Sequence, residues 1–327
     1  MSALRPFSRR EFLATTALAL AGAGCHLGSF ASEPIIDIHQ HTHYGGKRDK
    51  QWNYIGGART DEQLVAHQRA MGITKTILLP SGRPLIRPST HEGRSNGLES
   101  TCTANDACMA LAQQYPKEFV FGANEVPDIK EAPSVIEKYL KLGAVCIAEQ
   151  KFGVECDAPE MQRLYQMAAD YNVPILMHWQ VGSYNYGFQR FYKMLEKYPK
   201  TNFLGHAQTF WANIDKNNVD DAKNLYPKGK VTPGGISDKY LSDYPNMYGD
   251  LSAGSCNNSI KRDPEQARAF WNRHQDKLLF GSDCADSIGR GEECTGASTL
   301  GLIRKWVSSK AVERKMLYGN AKRLYRI

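Results

Sequence analysis

The chain has 327 residues, 42% of them hydrophobic and 23% charged. That is the make-up of a globular protein long enough to bury one large core. Its 41 basic and 34 acidic residues leave a net charge of +7, and no basic run or interleaved aromatic stripe concentrates it, which argues against a nucleic-acid partner.

Chain order begins with "MSALRPFSRREFLATTALALAGAGCHLGSFASEP". A basic start, an uncharged run from Phe12 to Cys25 and small residues near Ala31 follow the plan of an export signal. The run is too short and too rich in Ala and Gly for a membrane span. "SRREFL", with adjacent Arg9 and Arg10, resembles a twin-arginine signal. That resemblance implies the twin-arginine machinery as a partner, a periplasmic or other extracytoplasmic destination, and export of an already folded chain that could carry a metal with it. Lipid anchoring at Cys25 is disfavoured, since Gly22-Ala23-Gly24 lacks the usual aliphatic residue. Cleavage near Ala31 leaves a signal over residues 1–31 and one domain over 32–327.

Past the signal, eight short apolar runs read as strands: "PIIDIHQ", "KTILLPS", "EFVFGANEV", "GAVCIAEQ", "VPILMHW", "TNFLGHA", "NMYGDLSAG" and "KLLFGSD". Between them lie amphipathic patterns such as "TDEQLVAHQRAMG", "APSVIEKYLKLG", "APEMQRLYQMAADYN" and "DPEQARAFWNRHQ". Thr60 and Asp263 are good helix caps, and Gly72 and Gly143 plausible stops. Strands joined by helical crossovers pair in parallel. Eight such units predict a closed (β/α)8 barrel of the TIM type rather than an open doubly wound sheet. The longest irregular stretch, from Gly82 to about Cys102, reads as an active-site loop.

Barrel enzymes collect their chemistry where the strands end. Here the first strand ends in Asp37, His39 and His41, the fourth in Glu149, the fifth in His178, the sixth in His206 and the eighth in Asp283. Strict alternation would point Asp37, His39 and His41 one way, with the two imidazoles about 7 Å apart along the strand. They can converge on one divalent ion. A mixed nitrogen and oxygen donor set suits zinc, with manganese, iron and nickel as alternatives.

"DIHQH", "PILMHW", "FLGHA", "LLFGSD" and the closing "YGNAKRLY", taken in this order, resemble the amidohydrolase-related branch of the metal-dependent amidohydrolase superfamily. The resemblance spans essentially the whole mature chain. It implies that His39, His41, His178 and Asp283 bind metal, and that His206 is either a ligand to a second ion or a polarising hydrogen-bond partner of the substrate. Asp283 would also accept the proton of a water that the ion has acidified. Relatives carry a glutamate, a modified lysine or no ligand at the fourth strand, a choice that goes with one or two ions. Glu149 is preferred here over Lys151, being nearer the strand end and needing no modification.

Asp37 reads as a residue that orients an imidazole or the strand end, and His43 as a loop residue lining the pocket. His67 and His274 fall in helical patterns and read as surface or packing residues. Arg83 and Arg87 would clamp a carboxylate substrate or be solvated loop charges, and His91 shares their loop. Trp179, Tyr184, Tyr186 and Trp211 wall a substrate or cap the barrel rim. None of the cysteines forms a C-x-x-C pair, so no zinc ribbon is expected. Cys102 with Cys108, or Cys284 with Cys294, are spaced closely enough for disulfides.

Three functions compete. The first is a hydrolase that turns an activated water on an amide, ester or lactone of a small organic substrate. The second is a metal-dependent decarboxylase of an aromatic or unsaturated acid. The third is a secreted binding protein without activity, which the cost of burying histidines and carboxylates with no ion argues against.

Overall fold

The computed structural model describes residues 33–42, 59–80, 104–218, 224–291 and 293–327, together with the backbone of a small antiparallel pair at Lys47–Arg48 and Tyr54–Gly56. The signal segment, His43, Arg83, Arg87, His91 and Cys102 lie outside the described residues.

Eight parallel strands follow in chain order: β1 (Ile36–Gln40), β2 (Lys75–Leu78), β3 (Phe119–Phe121), β4 (Ile147–Gln150), β5 (Ile175–His178), β6 (Phe203–His206), β7 (Met247–Asp250) and β8 (Leu278–Leu279). Ladders join β1 to β2 to β3, and β4 through β8 in sequence. Two seams close the ring. Ala123 bridges to Ile147 beside β3 and β4, and Ile38 donates its N–H to the Phe280 carbonyl at 3.1 Å between β1 and β8. The expected (β/α)8 barrel is thus the observed fold.

One apolar cluster fills the ring, drawing Ile36 and Ile38, Ile77 and Leu79, Cys146 and Ala148, Leu176, Leu204 and Leu279 from six strands, with Val120 and Tyr248 packed against it from the other two. Its far end is plugged by Ala321, Leu324 and Tyr325 of the last helix. A larger cluster lies between strands and helices, with Phe119, Ile175, Met177 and Phe203 facing Ile136, Leu164, Tyr165 and Phe191.

The anticipated helices form: α1 (Asp61–Ala70), α2 (Ala104–Gln114), α3 (Ala132–Lys141), α4 (Pro159–Tyr171), the shorter α5 (Tyr192–Lys197), and, past three intervening helices, α9 (Pro264–His274). Thr60 caps α1 in a reciprocal box with Gln63, and Asp263 accepts from Gln266 N at the start of α9. Five helices were not read from sequence: α6 (Ala207–Ala212), α7 (Ile236–Asp243), α8 (Ala253–Lys261), α10 (Thr295–Trp306) and α12 (Asn320–Tyr325). Short α11 (Lys310–Arg314) was likewise not anticipated. In α8 and α10 Gly, Ser and Asn blur the apolar period, α6, α11 and α12 are only five or six residues long, and packing against the barrel supplies what local preference does not.

Asp37 stitches the seam between β1 and β8. Its Oδ1 accepts from the backbone N–H of His39 at 3.0 Å and of Ser282 at 2.8 Å, and its Oδ2 from Ser282 Oγ at 2.5 Å and Gln68 Nε2 at 2.8 Å. It orients the strand end and touches no imidazole ring. Removing it strands two buried N–H groups, each costing about 1–3 kcal/mol. Asp37→Ala should therefore lower unfolding free energy by about 2–5 kcal/mol in urea titrations, with Asp37→Asn, which keeps one acceptor, losing less.

Candidate metal centre

His178 and His206 reach the barrel mouth by regular alternation: Leu176 and Leu204 face the interior two residues earlier. His39 and Glu149 do not. Ile36, Ile38, Cys146 and Ala148 are the inward residues of their strands, so strict alternation would turn His39 and Glu149 outward. The pairing register slips between Asp37 and Gln40 in β1 and between Ile147 and Gln150 in β4. Those irregularities re-aim both side chains into the mouth, a common use of local strand bulging beside functional sites. Asp37, expected on the same face as His39, turns instead toward Gln68 of α1. Asp283, just past β8, sits at φ 45° and donates its N–H to the His39 carbonyl at 2.9 Å.

Six predicted site residues thus meet at the C-terminal mouth, all buried or nearly so. Glu149 is central: Oε2 lies 3.7 Å from His39 Nε2 and 3.5 Å from His41 Nε2, while Oε1 lies 2.5 Å from His178 Nδ1 and 3.6 Å from His206 Nε2. Asp283 stands opposite, Oδ1 at 3.8 Å from both His39 and His41 and Oδ2 at 3.7 Å from His206. Its Oδ1 is buried with no hydrogen-bond partner among the described residues.

The sequence reading missed Asp250. Its Oδ2 lies 2.7 Å from His39 Nδ1 and 3.2 Å from His206 Nδ1, and Ser252 Oγ bonds both that carboxylate at 2.8 Å and His206 Nδ1 at 3.0 Å. The available signal was an acid ending the seventh strand run, "MYGD", just as histidines end the fifth and sixth. Trp211 Nε1 donates to the Asp250 carbonyl at 3.0 Å. Trp211 and Trp179 are fully buried, Trp179 against Phe188 and Phe191, so both are packing residues rather than substrate walls. Tyr184 meets the His178 ring edge-on at 5.1 Å.

These contacts decide where the imidazole lone pairs point. Burial works against the charge on Asp250, but His39 and His206 offset it and hold its pKa to about 2. An ionised carboxylate only accepts, so His39 donates from Nδ1. His41 Nδ1 faces the Leu79 carbonyl at 2.8 Å and must donate as well. In neutral rings both Nε2 lone pairs then confront each other across 3.1 Å, an arrangement stable only with a cation between them. Without a metal, a proton serves: burial opposes it, yet Asp283 and Asp250 raise the His39 pKa well above its ordinary value, while burial and His39 hold His41 at about 3. Two nitrogens on one divalent ion at about 2.1 Å lie about 3–3.4 Å apart. The observed separation and the orphaned Asp283 oxygen fit such an ion.

Glu149 remains ionised, because hydrogen bonds from His178 and His39 and the charge on His39 overcome its burial. Burial raises Asp283 despite His39 and His206. Burial, then nearby Lys151, lowers His178 to about 3, leaving it neutral and able to coordinate.

No family model and no curated protein sequence matches the chain. Solved structures do. One is a probable 2-pyrone-4,6-dicarboxylic acid hydrolase from Acinetobacter baumannii with citric acid bound, at 16% identity over 90% of this chain and 99% of that one, TM-score 0.58. Another is an amidohydrolase from Burkholderia multivorans with bound zinc, at 14% identity, 90% and 99% coverage, TM-score 0.55. A third is a dihydroxybenzoic acid decarboxylase from Polaromonas with bound manganese and 2-nitroresorcinol, at 14% identity, 90% and 97% coverage, TM-score 0.51. At such identities the likeness establishes the (β/α)8 barrel.

Asp250→Asn should weaken divalent-ion binding about 10- to 100-fold in equilibrium titration, since it removes the charged acceptor that fixes two imidazoles.

Proposed function

We propose that the protein is a metal-dependent hydrolase acting on an amide, ester or lactone of a small organic substrate. The observation that carries this reading is Glu149, whose two oxygens face the His39–His41 pair and the His178–His206 pair respectively. A carboxylate so placed suits two ions, most simply zinc, with manganese, iron or nickel compatible with the same donors. His39, His41 and Asp283 would hold one ion, His178 and His206 the other, and Glu149 both. A divalent ion there supplies Lewis acidity and an acidified water near neutral pH.

The chain's own residues do the rest. Asp283, at the mouth beside His39, His41 and His206, accepts the proton of the attacking water on the carboxylate oxygen not given to an ion and returns it to the leaving group. Asp250 and Ser252 keep His39 and His206 in the orientation that aims Nε2 at the substrate side. Beside them opens a cavity of about 340 Å³, lined in part by Lys151, Gln208, Tyr226, Ser255 and Thr295. Lys151, with its ammonium 5.4 Å from the Tyr184 ring centroid, places a cation on the pocket wall. That favours a substrate bearing a carboxylate.

The same cation and donor set support a second reading, decarboxylation of an aromatic or unsaturated acid, as named for the manganese-bound neighbour. Turnover in ¹⁸O-labelled water separates them: hydrolysis places the label in the product acid, whereas decarboxylation releases CO₂ and leaves the organic product unlabelled. The Arg9–Arg10 pair supports export by the twin-arginine route as a further part of the proposal, tested by whether paired lysine replacement retains the chain in the cytoplasm.

Asp283→Asn should fold and bind metal yet lower kcat about 10²- to 10⁴-fold, the usual worth of a general acid–base group; near-normal turnover would remove it from proton transfer. Glu149→Gln should lower the metal content of the purified chain, and unchanged stoichiometry would count against a bridging role.

A further inference from the structure

A second cluster of donors lies outside the mouth, where the loop after β8 meets α1. His67 of α1 and Cys284, Asp286 and Cys294 of the loop present donor atoms that all lie within 4.8 Å of one another. His67 Nε2 is 3.1 Å from Asp286 Oδ1 and 3.5 Å from Cys294 Sγ, and the two sulfurs are 3.0 Å apart. His67, Cys284 and Cys294 are almost wholly buried. In sequence, His67 reads as a surface or packing residue and the two cysteines as spaced closely enough for a disulfide. The two sulfurs are unbridged thiols.

We propose that His67, Cys284, Asp286 and Cys294 form a structural metal site, separate from the mouth, for a thiophilic divalent ion such as zinc. Each donor is oriented by a partner on its far side. His67 Nδ1 lies 3.1 Å from Gln68 Oε1, and the Gln68 amide nitrogen is occupied by Asp37 and Thr76, so its oxygen faces the ring. Nδ1 therefore donates, and the Nε2 lone pair faces the cluster. Asp286 Oδ2 accepts from Ile288 N at 3.1 Å and Gly289 N at 2.8 Å, which leaves Oδ1 for the centre. Cys284 Sγ accepts from Gly296 N at 2.9 Å and Cys294 Sγ from Ala297 N at 3.3 Å, both at the N-terminus of α10, where thiolates are favoured.

Tetrahedral geometry around an ion with about 2.3 Å bonds to sulfur and about 2.0–2.1 Å to nitrogen and oxygen puts S and N about 3.5 Å apart and N and O about 3.3 Å apart. The observed 3.5 and 3.1 Å agree. The sulfur pair would open to about 3.8 Å around such an ion, whereas a disulfide would close it to about 2.05 Å. A disulfide would use neither the imidazole nor the carboxylate. Charge also balances. Two thiolates and a carboxylate offset a divalent ion plus Arg59, whose guanidinium donates to the carbonyls of Cys284 and Asp286 at 2.8 and 2.9 Å.

The site would clamp the loop that begins at Asp283 onto α1. Gly289, at φ 70°, already passes so near that an added Cβ would sit 2.3 Å from the His67 carbonyl oxygen.

Cobalt(II) loading of the metal-stripped full chain tests this without reference to activity. A thiolate ligand gives an intense near-ultraviolet charge-transfer band, which the nitrogen and oxygen donors of the mouth cannot produce. The band should appear and saturate at the intensity of one cobalt–thiolate site per chain, and further cobalt taken up by the mouth should leave it unchanged. It should lose half or more of its intensity in Cys284→Ser and in Cys294→Ser, vanish in the double variant, and need at least tenfold more cobalt in His67→Ala. A His39→Ala/His41→Ala chain, impaired at the mouth, should retain it, so failure of one site is distinguishable from failure of the other. Absence of the band in the loaded wild-type chain, or a Cys284–Cys294 disulfide in peptide maps of the chain as purified, would overturn the proposal whether or not the variants fold.

Discussion

Closure of the ring between its first and last strands is the constraint on which everything else rests. The short β8 makes few ladder bonds of its own, and the buried Asp37 carboxylate compensates by accepting from the backbone of both sides, at His39 and at Ser282. Those two residues adjoin or are candidate donors: His39 itself, and Asp283 next to Ser282. That carboxylate therefore reinforces the Ile38–Phe280 and Asp283–His39 backbone bonds of the seam, beside the donors of the mouth. Desolvation alone would push Asp37 toward its neutral acid, and its raised pKa reflects that; the hydrogen bonds it accepts keep it an acceptor worth burying.

Much of this was legible in the sequence. The runs ending in His178, His206 and Asp283 announced a mouth because each polar residue closes a short apolar run of strand length in a chain where such runs alternate with helical patterns. What could not be read was the aim of His39 and Glu149. Simple alternation placed Asp37 with His39, and it gave no warning that register slips in β1 and β4 would turn His39 and Glu149 inward. Such slips depend on pairing with neighbouring strands, which a single strand's pattern does not encode. Asp250 escaped notice for a different reason: it acts on imidazoles from β1 and β6, partners 211 and 44 residues away. The His67 cluster likewise joins a helix to a loop more than 200 residues on, and no short motif carries it.

The mouth is an electrostatic compromise between two kinds of carboxylate. Asp250, fully buried, stays charged because two imidazoles share it. Asp283, with an oxygen that no donor among the described residues satisfies, is pushed the other way by burial. The first is suited to holding geometry and the second to exchanging a proton. The division recurs in the ligand field: His41 and His178 are kept neutral by burial, ready to give lone pairs rather than charge.

The shared Asp250 has one more consequence. Because His39 and His206 both turn Nδ1 to the same carboxylate oxygen, neither ring can flip to present its other nitrogen without disturbing its partner. The two belong to strands that do not adjoin, so this oxygen works like a crossbar through the barrel axis, coupling the orientation of distant walls. Breathing of the mouth would then move those walls together, and any widening that admits a larger substrate must come from the loops above them.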